Sequence, residues 1–304
     1  MTGESSPSRT PIQEARERSW YHTIDLPDGS VTRGVFDTRA VAELVQWPAG
    51  LAGGRCLDVG TCDGFWAFEM ERRGAAEVIA IDVDDPDPRD TSWEFRGRSL
   101  ESPGHGEGQR DRRFDIARQA LGSSVRRLSC SVHDLDPTAH GRFDVVFCGT
   151  LLMHLRDPIH ALERMRAVCA GELVLVECID ARLDLFAPRV PCARFAAAPE
   201  QWWRTNRTGL RALVRAAGFE VAWESSRFHT AFGPAVTESP TRRGPRRAGQ
   251  ALLARLLRAF PVAPVVTTVL GLALGRYDLA MRARPRPVPL SRGKVVTPFA
   301  APRS

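Results

Sequence analysis

Two carboxylates frame the stretch of this chain whose residue types and spacing best suit chemistry. Asp58 sits near the end of the apolar run Arg55–Val59, and Asp82 closes a second apolar run, Glu77–Asp82. Between them Gly60, Thr61, Cys62, Asp63 and Gly64 read as a tight loop that opens onto a helix starting at Phe65. Glycines at such a turn let the backbone pass close to a ligand with no Cβ in the way, and a helix start offers unpaired N–H groups. An acid at the end of the second strand, eighteen residues after Gly64, can accept both hydroxyls of a ribose. The expected chemistry is therefore the cradling of a nucleoside-bearing ligand by Asp58, Gly60, Thr61, Asp63, Gly64, Phe65 and Asp82. The glycine spacing does not meet the G-x-G-x-x-G fingerprint, which argues against a nicotinamide dinucleotide.

Two histidines are candidates for moving a proton. His154 follows the apolar run 143–148, at the edge of a sheet where ligands bind in open α/β folds. Its alternative role is to hydrogen-bond the turn that leads to Pro158. His22 lies in Trp20-Tyr21-His22, a segment that either folds over a ligand as a lid or packs against the domain. Trp202, Trp203, Arg204 and Asn206 form a third cluster, able to stack bases beside a guanidinium or simply to start a helix with Asn206 as N-cap.

Positioning these groups requires an alternation of short apolar runs and amphipathic runs, the pattern of a parallel sheet with crossover helices. Strands are predicted at 55–59, 77–82, 125–132, 143–148 and 172–178, with a sixth at 219–227 and a last at 276–282. Helices are predicted at 65–73, 112–121, 158–169 and 206–217, the last closed by Gly218. Long connections at 84–110 and 181–203 fall where substrate sites are commonly shaped. The expected organisation is a disordered N-terminus at 1–19, a lid segment at 20–50, a Rossmann-like domain at 51–230 and a basic extension at 231–304 that contributes the last strand.

The residues CLDVGTCDGFWAFEMERRG and AAEVIAIDVDD, followed by FDVVFCGTLLMHLRDP, resemble the class I S-adenosylmethionine-dependent methyltransferase superfamily over about 180 residues. The resemblance implies an α/β, Rossmann-like class I methyltransferase fold with a mostly parallel seven-stranded sheet and helices on both faces. It implies S-adenosylmethionine as cofactor, with Gly60 to Gly64 on the methionine portion and Asp82 with Val83 on the ribose. Val132 and His133 would meet the adenine, and Gly149 and Leu151 would floor the site beneath the sulfonium. Methyl transfer is an in-line displacement, so positioning and water exclusion are the protein's main contributions, and a base such as His154 or His22 serves only a protonated acceptor.

Within the superfamily the pattern is similar to the tRNA wobble-uridine enzymes that install 5-oxyacetate groups from carboxy-S-adenosylmethionine. Trp20-Tyr21-His22, Phe36-Asp37-Thr38 and Leu152-Met153-His154 match that family's segments. Its lysine, tyrosine and arginine for the extra carboxylate correspond to His22, Met153 and Arg276. A methionine donates no hydrogen bond and a neutral histidine carries less charge than lysine, so the reading favours unmodified S-adenosylmethionine acting on a small molecule or RNA. Carboxymethyl transfer to tRNA is the alternative, and a non-catalytic cofactor sensor is the third reading.

Composition bounds the rest. The seven cysteines form no C-x-x-C pair, which suggests reduced thiols in a cytoplasmic protein and no metal site. No secretory signal is read at the N-terminus. The net charge of +6 arises beyond residue 240, where thirteen basic side chains face one acid, Asp278. That tail suits a polyanion or an anionic membrane surface, and its charge-free run 259–275 is interrupted by Pro261 and Pro264.

Overall fold

The computed structural model describes residues 9–95, 110–198, 201–237 and 275–287. Its strands are β1 (Ser19–His22), β2 (Arg33–Asp37), β3 (Arg55–Val59), β4 (Glu77–Asp82), β5 (Arg126–Ser129), β6 (Phe143–Gly149), β7 (Cys169–Asp180), β8 (Ala193–Ala198), β9 (Gln201–Thr205), β10 (Phe219–Glu224), β11 (Ala231–Phe232) and β12 (Arg276–Pro285). Seven of them form the main sheet in the order β10-β12-β7-β6-β3-β4-β5. β5, β4, β3, β6 and β7 run parallel, and β12 is antiparallel to both β7 and β10.

Central strands of a parallel sheet are buried on both faces, and here the period of two assigns each residue to a side. Leu57, Val59, Ile79, Ile81, Val146 and Cys148 pack with Leu162 and Met165 of the helix Pro158–Val168 and with Leu210 and Val214 of the helix Arg207–Ala216. Their neighbours Cys56, Val78, Ala80, Val145 and Phe147 face the other way, onto Trp66, Met70, Phe114 and Trp20. Asp157 and Asn206 cap the first two of these helices by accepting from His160 N and Gly209 N. Gly218, at φ +84°, ends the Arg207–Ala216 helix as expected of a left-handed C-terminal residue.

Several expectations change. Residues 11–17 form a helix, where composition suggested disorder: Thr10 accepts from Gln13 N while the Gln13 side chain accepts from Thr10 N, a capping box. The connection 181–203 carries a helix, Ala181–Phe186, and the antiparallel pair β8–β9, so the sheet has nine strands, with β9 touching β7 at Ile179 and Thr205. Trp202, Trp203 and Arg204 therefore stand on a strand, and Asn206 is the N-cap. The strand expected at 125–132 stops at Ser129, because Ser131 caps a short turn over Val132–Asp134.

The segment expected as a lid is a small sheet of its own. β1 runs parallel to β2, and β11 closes it from far along the chain. The approach of β1 to β2 is so close that a Cβ on Gly34 would lie 2.3 Å from the His22 carbonyl carbon. Thr32 ties it further, donating to His22 O at 2.9 Å and accepting from Ile24 N. Trp20 is fully buried, its indole N–H on Ala15 O at 2.7 Å. Residues 1–8, 96–109, 199–200, 238–274 and 288–304 lie outside the described residues, and with them the charge-free run and most of the basic tail. No helix among the described residues is long and apolar enough to cross a membrane.

Candidate functional site

The carboxyl ends of β3, β4, β6 and β7 meet along one edge, and the candidate residues gather there. After Val59 the chain turns through Gly60, at φ +77°, and Gly64, at φ +94°, before the helix Phe65–Arg72. Only glycine adopts these angles without strain. At Gly64 the space is also closed, since a Cβ there would lie 2.4 Å from Phe68 Cε2. The loop is held from the next strand: Gly60 N and Thr61 N both donate to Ile81 O.

Asp82 reaches the same loop with its side chain. Its Oδ2 accepts from Cys62 N at 2.7 Å and its Oδ1 from Val83 N at 2.8 Å. Asp58 lies behind the loop at 1% exposure, and burial pushes its carboxyl up to about 7. The Thr61 hydroxyl and the Ala67 N–H, both facing it, work against that rise.

Asp63 turns toward the N-terminal sheet. Its carboxylate accepts from Tyr21 N at 3.0 Å and His22 N at 2.8 Å, and pairs with His22 Nδ1 at 2.5 Å. Burial alone would raise its pKa, yet the His22 imidazole and these bonds hold it below the usual carboxylate value. Phe65 stacks on the His22 ring at 5.3 Å. Asp63, Phe65 and His22, predicted separately as cofactor contacts and catalyst, are thus one joint between the small sheet and the glycine loop.

Beyond β6, Gly149 is followed by Thr150, at φ +52°, and by the turn Leu152–His154. Leu151 packs toward Gly60, where an added Cβ would meet its Cδ2 at 3.1 Å. His154 sits half-buried at the end of this turn, its N–H on Leu151 O. Met153 is buried at 6% exposure. Val132 belongs to the core, and His133 Nε2 bonds Asp90 Oδ2 at 3.0 Å, a contact that raises the histidine's pKa. Asp90 also accepts from Arg156 N and, through its carbonyl, from Trp202 Nε1, so it joins the loop after β4 to the turn after β6 and to β9.

One residue escaped the sequence reading. Glu177, fully buried on β7, accepts from Leu152 N at 2.9 Å and is raised by burial to about 7. The signal for it was an acid inside the apolar run ELVLVECID, where a charge needs a partner. Tyr21 lies in electrostatic reach of Arg276, Cys62 and Asp63, and burial raises its pKa. Arg276, at the start of β12 opposite Asp180, lies in electrostatic reach of Cys178 on the same edge.

A family model described as a methyltransferase domain matches residues 35–223. The chain belongs to that family. Among curated proteins this methyltransferase-domain chain is 30% identical over 201 residues to a tRNA U34 carboxymethyltransferase of Pseudomonas fluorescens, covering 62% of this chain and 55% of the relative. It is 28% identical over 171 residues to the protein of that name from Ectopseudomonas mendocina, covering 56% and 46%. The chain spans about half the length of the curated relatives it matches. Among solved structures, 1,6-didemethyltoxoflavin-N1-methyltransferase of Burkholderia thailandensis aligns at 17% identity and a TM-score of 0.47, over 82% of this chain and 78% of that one. An S-adenosylmethionine-dependent methyltransferase from Mesorhizobium loti aligns at 13% identity and a TM-score of 0.48, over 81% and 97%. No group of three or more metal-ligating side chains occurs among the described residues, and none of the seven cysteines forms a disulfide.

Proposed function

We propose that the protein binds a sulfonium donor of the S-adenosylmethionine type across the β3–β4 edge and transfers a carbon unit from it to tRNA in the cytoplasm. The observation that carries the donor site is the Asp82 carboxylate at the end of β4, fastened to the Gly60–Gly64 loop through Cys62 N, where an acid can meet a ribose diol. The surrounding residues fit that donor. Asp58 and Thr61 are buried polar groups beside the loop, and Gly60 keeps the backbone open to a close neighbour.

In this reading Asp58, Gly60, Thr61 and Gly64 would hold the methionine portion, Asp82 and Val83 the ribose, and Val132 and His133 the adenine. Gly149 and Leu151 would floor the site. Asp63 and Phe65 act through His22, fastening the N-terminal sheet over the loop and keeping water out. The bound donor supplies a carbon already activated by its sulfonium. The remaining work is alignment of the acceptor and removal of its proton, for which His154, on the turn that Glu177 steadies, is the candidate base.

The curated relatives' names favour the carboxylated donor over the unmodified one. Arg276 and Tyr21 supply a guanidinium and a phenol on the same edge, and burial keeps that phenol protonated as a hydrogen-bond donor. The unmodified donor is the second reading. It is favoured by Met153, which has no polar hydrogen, and by His22, whose Nδ1 is engaged by Asp63. Isothermal titration with S-adenosylmethionine and with carboxy-S-adenosylmethionine separates the two. Mass analysis of tRNA nucleosides after incubation with each donor then tests the acceptor: a carboxymethyl or methyl mass gain on a uridine is expected, and unaltered tRNA with a bound donor would overturn the RNA assignment.

A further inference from the structure

The β8–β9 hairpin carries aromatic surface that the donor site does not use. Phe195 on β8 is 54% exposed and packs its ring 6.1 Å from Trp202 and 5.7 Å from Trp203 on β9. The two indoles are half-buried and anchored: Trp202 Nε1 donates to Asp90 O at 2.6 Å and Trp203 Nε1 to Arg156 O at 3.1 Å. The Arg156 guanidinium stands over the Trp202 ring, 5.9 Å from its centroid. The two indoles are thus held in place, and the Phe195 ring against them is presented to solvent.

The hairpin is placed at the acceptor side of the sheet. β9 meets β7 at Ile179, two residues beyond Glu177, and Trp203 is bonded two residues beyond His154. Arg204, next on β9, and Arg276 both lie in electrostatic reach of Cys178. The platform therefore borders the carboxyl edge where the candidate base and the donor loop lie.

Arginines are exposed along the segments that lead to it, beside the exposed Asp157. In the segment leading to the hairpin the acids are buried and spent: Asp180 caps the Ala181–Phe186 helix and pairs with Arg194, and Asp184 takes Tyr277 Oη and Arg227. Arg182, Arg189, Arg194 and Arg156 are exposed. Exposed aromatic rings bordered by arginines, with the matching acids turned inward, complement a chain of bases on a polyanionic backbone.

We infer that Phe195, Trp202 and Trp203 form a stacking platform for unpaired bases of an RNA loop, with Arg156 beside it for the phosphates, and that it delivers the target base to the donor edge. The inference rests on the RNA acceptor proposed above. Stacking on an exposed ring is sequence-tolerant, so the platform provides grip and orientation, and the choice of target falls to the pocket beneath.

The test uses the full chain and a short RNA stem-loop with 4-thiouridine in the loop. Photo-crosslinked peptides are identified by mass spectrometry, and RNA affinity is measured by fluorescence anisotropy for the wild type, Phe195→Ala and Phe195→Trp, with S-adenosylmethionine affinity titrated in parallel. Crosslinks within residues 191–205, an affinity about tenfold weaker in Phe195→Ala, recovery in Phe195→Trp and unchanged donor affinity are expected. RNA binding that crosslinks only elsewhere, for example within residues 241–304, and ignores Phe195→Ala would overturn the platform and leave the RNA acceptor standing. Donor binding with no RNA binding by the wild type would overturn both and assign the rings to a small-molecule acceptor.

Discussion

Asp63 Oδ1 and His22 Nδ1 lie 2.5 Å apart, with the carboxylate fully buried and the imidazole side chain 8% exposed. Forty-one residues separate them in the chain. The pair, together with the two backbone N–H groups on Asp63 Oδ2, is the joint through which the small N-terminal sheet is held to the glycine loop.

Asp63→Asn removes the charge from that joint while keeping its shape. Breaking one partner of a buried pair costs about 3 kcal/mol, and a lowered melting temperature at pH 7 is expected. Because Asp63 is depressed in the folded state, its contribution is present above the ordinary carboxylate range, near about 4, and is lost as the pH falls through the lower folded value. The stability gap between wild type and variant should therefore narrow on acidification, and a gap that stayed constant would show that the charge is irrelevant.

Glu177 has the opposite sign. Burial raises it to about 7, so folding favours its protonated form and its ionisation costs stability as the pH rises from about 4 to about 7. Glu177→Gln keeps an oxygen for Leu152 N and removes the charge. Urea denaturation at pH 5 and pH 8 should find the variant gaining on the wild type at the higher pH, with little difference at the lower.

The two loop glycines separate fold from function. Gly64→Ala combines a left-handed backbone with a Cβ 2.4 Å from Phe68, and it should destabilise by well over the about 1 kcal/mol of backbone strain alone. Gly60→Ala shares the strain but meets only the movable end of Leu151 at 3.1 Å. It should fold with a smaller loss and lose donor affinity, measured by titration. Equal stability losses would contradict this division.

Asp82→Asn leaves an acceptor for one loop N–H and removes the charge offered to the ribose. Loss of hydrogen bonds to a charged group, about 1.5 to 3 kcal/mol, corresponds to donor binding weakened at least about tenfold. Unchanged affinity would move the donor site away from β4.

The sheet was legible because its evidence is local. The runs that became β3, β4 and β6 are apolar on both faces, and the turn glycines sit at strand ends, so position along the chain predicts position in the fold. The β8–β9 hairpin was not, since ARFAAA shows no alternation and its partner strand lies across a turn that carries no Asn-Gly or Asp-Gly signal. The Pro11–Glu17 helix had a readable capping box in Thr10 and Gln13, and composition overrode it. At the site, Asp58, Gly60 and Asp82 followed from spacing, whereas the Asp63 to His22 joint depends on how β1, β2 and β11 assemble. Contacts of that range leave no periodic trace in the residues that make them.

The position of β12 has a consequence for synthesis. It lies between β7 and β10, hydrogen-bonded to both, yet it is the last of the described strands to leave the ribosome. Until Arg276–Pro285 emerges, the nascent chain holds β10 without its neighbour and β7 with an open edge, the kind of exposed strand that invites wrong pairing. Arg276 arrives with the same strand. The Arg276 guanidinium and the closure of the sheet are thus delivered in one late event, and a chain stalled before it would keep both strand edges open.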